Sequence, residues 1–195
     1  MPRPGNATDQ RRLRPTLIAV SIMFLAVQID FFALNLALPD MARDLGVSVP
    51  ELQWVLSAYM IAVASSFIAM GRLGDILGRK KVLLFSTALF AVASLAGGLA
   101  PNEGALIAAR AVQGVGAAGM ITVGIATVTN AFPANRVGGA IGIVYTAGGV
   151  GSAMGPLVGG AAHHLRDVEA RAPDQRPDDD RARRHGHRLR GGVTR

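Results

Sequence analysis

Two ionisable residues stand inside long apolar stretches of this sequence: Asp30 in VQIDFFALNLALP and Arg110 in RAVQGVGAAG. A carboxylate or a guanidinium is costly in an apolar medium unless it is paired, and such residues are usually functional. If the two meet, desolvation and the guanidinium pull the carboxyl group in opposite directions. A site under that tension suits an exchange of a proton for a cationic substrate. The other reading is a structural tether, in which Asp30 only anchors Arg110.

A second cluster is MGRLGDILGRKKVL, where Asp75 stands among Arg72, Arg79, Lys80 and Lys81. Gly71, Gly74 and Gly78 allow a tight turn and a close approach of helix ends. An acid there calls for a partner, either Arg79 or the N-terminus of a neighbouring helix. A solvated loop acid is the alternative. A third stretch, GGVGSAMGPLVGG, places Gly151, Gly155, Pro156, Gly159 and Gly160 in a Gly-x-x-x-Gly-Pro-x-x-Gly-Gly pattern. Glycines four apart make a flat face for helix contact, and Pro156 frees a carbonyl and bends the helix.

The elements that position these residues follow from charge and hydropathy. From Thr16 to Ala162 there are seven basic and six acidic residues, too few to build an ordinary globular surface. A helix needs about 20 mostly apolar residues to cross about 30 Å of hydrocarbon. Five segments qualify, roughly 16–38, 52–70, 82–100, 105–132 and 138–162, separated by PDMARDLGVSVPE, the basic cluster, APNEG and PANRVGG. In lipid each must satisfy its own backbone hydrogen bonds, so each is expected to be a helix. The expected fold class is an all-α membrane protein with five transmembrane helices. Arg11, Arg12 and Arg14, the basic cluster and Arg136 fall on one side by alternation, which places the N-terminus (residues 1–15) in the cytoplasm. On the same count, Asp30 lies about 12 Å and Arg110 about 9 Å from the outer ends of their helices, so the two depths agree. Trp54 and Tyr59, near the outer end of the second helix, read as interface anchors.

Several classes fall away. Without cysteine there is no disulfide or thiolate metal site. GVGAAG fits the dinucleotide fingerprint formally, but no strand precedes it and no ribose-binding acid follows. Its small residues suit helix packing instead. No nucleophile–base pair or phosphate-binding lysine loop is present, His163, His164, His185 and His187 form no metal constellation, and an enzyme is not expected. The formal charge of +7 sits largely at the chain ends and is no nucleic-acid signal. Residues 163–195, with nine Arg and no Lys after Leu165, read as an Arg-rich disordered tail or as the product of a shifted reading frame.

The stretch GRLGDILGRKKVL resembles the loop between helices 2 and 3 of the major facilitator superfamily, with Gly71, Leu73, Asp75, Gly78, Arg79 and Lys80 on the pattern. Ile76 stands where many relatives carry a basic residue. RAVQGVGAAG resembles the helix 4 motif, and IDFFALNLALP and LQWVLSAYMIAVA resemble helices 1 and 2 of the fourteen-helix drug:proton antiporters. The Gly-Pro pattern resembles the helix 5 signature of antiporters in this superfamily. The resemblance covers about residues 17–162 and implies a multi-pass cell-membrane transporter without cofactor, exchanging protons for drugs or other small molecules by alternating access. It further implies that Asp30, Arg110 and Gln113 line the proton or substrate site, that Gly71, Asp75, Gly78, Arg79 and Lys80 gate, and that the helix 5 glycines form a seam. Five spans are one short of the six expected in a first half of such a bundle. The alternative reading is therefore a truncated, non-transporting membrane fragment that needs a partner.

Overall fold

A computed structural model describes residues 7–46 and 48–170. They form five helices and, among the described residues, no strand: α1 (Ala7–Leu45), α2 (Val49–Leu77), α3 (Arg79–Gly98), α4 (Glu103–Ala131) and α5 (Ala134–Ala170). Each contains a stretch long and apolar enough to cross a bilayer. The protein is an all-α, multi-pass membrane protein.

The helix ends follow from local chemistry. α1 runs through Pro39, at the loss of one backbone hydrogen bond, and stops before Gly46, whose φ of 66° suits glycine. At the start of α2, the Ser48 side chain accepts from Glu51 N while the Glu51 carboxylate accepts from Ser48 N, a reciprocal cap. Asn102 caps α4 one way only, its side-chain oxygen accepting from Ala105 N. The turn between α2 and α3 is one residue, Gly78, at φ 93°. Gly71 and Gly74 therefore lie inside α2 rather than in a loop. α5 continues to Ala170, eight residues into the segment expected to be a disordered tail, because AAHHLRDVEA contains no Gly or Pro to stop it. The rest of that tail, from Arg171 onward, lies outside the described residues.

α4 is the centre of the bundle: 56% of its span is buried, against 22% in each of the others. Its small residues explain how neighbours come so close. A Cβ on Gly114 would lie 2.5 Å from the Tyr59 carbonyl oxygen of α2, and one on Gly116 would lie 2.8 Å from the Phe90 nitrogen of α3. Gly124 packs against Val20 of α1. In lipid the tails are as apolar as a core, so such close contact, rather than exclusion of water, holds helices together. Near one end of the bundle, Leu34, Leu38, Leu52, Val55 and Leu106 pack together. Val20, Phe24, Val128 and Val144 do the same near the other.

Candidate functional site

α1 and α4 bring Asp30 and Arg110 together: Arg110 Nη1 donates to Asp30 Oδ2 at 2.6 Å. Both side chains are largely enclosed, 17% and 12% exposed respectively, in surroundings that are otherwise mainly apolar. The pair sits between the apolar cluster around Leu34 and Leu106 and a middle cluster of Val27, Tyr59, Phe90, Ala117 and Met120. Charge-assisted hydrogen bonds of this length are strong, and a low local dielectric strengthens them further.

The polar groups around the pair are unevenly satisfied. Arg110 Nε is buried and has no hydrogen-bond partner among the described residues. Gln113, one turn along α4, is fully buried with both amide atoms in the same state. Buried polar atoms are nearly always paired, so three orphaned atoms within one turn of α4 mark this as an unusual place.

Tyr59 was expected to be an interface anchor beside Trp54. Trp54 is 61% exposed, as an anchor would be, but Tyr59 is buried at 4%. Its ring centroid lies 5.9 Å from that of Phe31, and its phenol feels the charges of both Asp30 and Arg110. Gly114 is the reason, because without a side chain there the Tyr59 backbone can press against α4. Five residues along a helix turn Tyr59 away from the exposed Trp54, but nothing in the sequence shows which neighbour it meets there.

At the α2–α3 turn, Arg79 Nη2 meets Asp75 Oδ1 at 3.3 Å, one helical turn apart in sequence. Arg79 Nη1 also donates to the Ala126 carbonyl near the C-terminal end of α4, where a cation suits the helix dipole. Asp75 is 61% exposed, so its ion pair contributes at most about 1 kcal/mol. The tether to α4 is the more consequential contact. Gly74 packs against Val123 of α4, whereas a Cβ on Gly71 would meet nothing within 4 Å, and Lys80 is exposed.

On α5 the glycine face meets α1. A Cβ on Gly151 would lie 2.6 Å from the Leu25 carbonyl oxygen, and one on Gly155 would lie 2.5 Å from Phe32 Cβ. Between them Gln28 Nε2 donates to Ser152 Oγ at 3.0 Å, a cross-helix bond that no motif pointed to. Pro156 is exposed and leaves the Ser152 carbonyl without its helical donor. Gly159 and Gly160 lie on α5 beyond the residues whose surroundings are described.

A buried acid–base pair between α1 and α4, a basic one-residue turn between α2 and α3 tied to that same α4, and a glycine face on α5 define a polytopic helical membrane protein. Residues 20–167 match the Major Facilitator Superfamily, and the chain belongs to it. It is 41% identical over 159 residues to an uncharacterized MFS-type transporter of Mycobacterium tuberculosis, covering 82% of this chain and 28% of that protein. It is 38% identical to the puromycin resistance protein pur8 of Streptomyces alboniger over 78% of this chain and 30% of that one. It is 35% identical to the riboflavin transporter RibZ of Clostridioides difficile over 74% and 32%. The chain thus spans less than a third of the length of these relatives.

Proposed function

We propose that this chain supplies the first five helices of a proton-coupled exporter of drugs or other small molecules, lying in the cell membrane with its N-terminus in the cytoplasm. The observation that carries the proposal is the enclosed Asp30–Arg110 pair at 2.6 Å. Protonation of Asp30 removes its charge and releases Arg110. A cationic substrate that displaces the proton restores the carboxylate, so the two ligands exclude one another at a single oxygen pair. Arg110 positions the carboxylate through the bond from Nη1 to Oδ2. The unpaired amide of Gln113 and Arg110 Nε are donors and acceptors available to a substrate when the helices part. Tyr59 closes the apolar side of the pair. The Asp75–Arg79–Ala126 contacts hold the cytoplasmic turn to α4 and act as the gate, and the Gly151–Gly155 face lets α5 ride on α1 during alternating access.

Named relatives support export of foreign compounds through puromycin resistance, while riboflavin transport in another keeps the substrate class broad. A second reading is a membrane protein that moves no substrate by itself; the chain spans less than a third of the relatives it matches. Ethidium efflux from cells expressing the 195-residue chain separates the two. Efflux lost in Asp30→Asn supports the exchanger. A chain that reaches the membrane but moves no dye, whatever stands at position 30, supports the second reading.

A further inference from the structure

A groove of about 370 Å³ opens on the α2–α3 hairpin, lined by Met70, Leu73, Leu77, Val82, Phe85 and Lys81. Five of its six residues are apolar, and the sixth is a cation at the level where α3 leaves the membrane. Adjacent positive charges face different ways here. Arg79 turns inward to Ala126 and Asp75, while Lys81 is exposed and lies along the groove with its stem on apolar surface. Asp75, already paired with Arg79, is the only carboxylate between Glu51 and Glu103. Lys80 and Arg72 are also exposed beside it. The start of α3 is itself electropositive, with three cations in its first turn, no acidic residue and no side-chain cap, unlike α2 and α4.

From this charge complementarity we infer that the groove is a binding site for an anionic phospholipid of the adjoining leaflet. One acyl chain lies along Leu73, Leu77 and Phe85, and the phosphate is held by Lys81, with Lys80 adding to the local field. An apolar groove alone would take any lipid. The lysine within it, with Lys80 and Arg72 exposed nearby and the one carboxylate of the hairpin, Asp75, paired to Arg79, selects a net negative headgroup. The inference requires only that the chain spans a membrane and does not depend on what it transports.

The test titrates dioleoyl phosphatidylglycerol or dioleoyl phosphatidylcholine into the full chain in detergent micelles and counts bound lipid by native mass spectrometry. Wild-type chain is expected to prefer phosphatidylglycerol. Lys81→Gln should lower that preference about fivefold, the equivalent of about 1 kcal/mol per cation at a membrane surface. Lys81→Arg should keep it, and so should Arg136→Gln, a cation in the first turn of α5 outside the groove. Leu77→Trp, which fills the groove without changing charge, should weaken binding of phosphatidylglycerol. Equal binding of the two lipids by wild type, an undiminished preference in Lys81→Gln or unaltered binding in Leu77→Trp would each overturn the site.

Discussion

Replacing Gly114 by Ala should loosen the bundle at the point where α2 meets α4. The new Cβ would lie 2.5 Å from the Tyr59 carbonyl oxygen and 2.9 Å from Ala62 Cβ. Neither atom is the tip of a flexible side chain, so the whole of α2 must move. To reach the 3.4 Å at which ordinary contact begins, the helices separate by about 0.9 Å. Overpacking of this kind costs about 1–3 kcal/mol. Alanine in a helix regains up to about 1 kcal/mol over glycine through propensity alone. Gly142→Ala on α5 isolates that gain, because a Cβ there meets nothing within 4 Å. The propensity gain then cancels in the comparison, and Gly114→Ala should be less stable than Gly142→Ala by about 1–3 kcal/mol. The assay is thermal unfolding of the chain in micelles, followed by helical circular dichroism. Equal melting temperatures for the two variants would refute the claim that glycine at 114 is needed for backbone approach. The displacement also moves Tyr59 away from the Asp30–Arg110 pair, so any dye efflux should fall with stability.

Other substitutions probe separate contacts. Arg110→Gln leaves the Asp30 carboxylate enclosed and unpaired and should cost about 3–5 kcal/mol in chemical unfolding, whereas Asp30→Asn/Arg110→Gln should cost clearly less. A double-mutant cycle on Gln28→Ala and Ser152→Ala should return a coupling of about 0.6 kcal/mol, and a value of zero would remove the cross-helix bond from the account. Gly78→Ala forces a side chain onto a backbone at φ 93° and should destabilise the hairpin by about 1–3 kcal/mol, read as a lower melting temperature. Ser48→Ala should cost about 0.5–2 kcal/mol by removing the cap of α2, and Ser48→Asp should restore most of it.

Much of the architecture was legible along the chain. Run length and breakers reported five spans because a bilayer imposes a length on any helix that crosses it. Depth within those runs placed Asp30 and Arg110 at matching levels, because rise per residue is constant along a helix. Faces were harder to read. In a soluble helix the polar stripe points to water, but these helices are apolar nearly all round, since lipid and protein core have similar polarity. The burial of Tyr59 was therefore hidden while Trp54, on the same helix, behaves as its type suggests. The bond from Gln28 to Ser152 was hidden for the same reason, since nothing in either helix reveals which neighbour it faces.

Sequence by itself determined that the chain crosses a membrane as helices, where those helices break, and which charges must find partners inside. These properties depend on transfer energies and backbone geometry, which act residue by residue. Only the tertiary structure decided that Arg79 ties the turn to Ala126, that the α5 glycines seat against α1, and that Lys81 rather than Arg79 lines the α2–α3 groove. Those outcomes depend on the rotation of each helix about its axis. That rotation is set by where small residues let two backbones approach, a property of pairs of helices and not of either one alone.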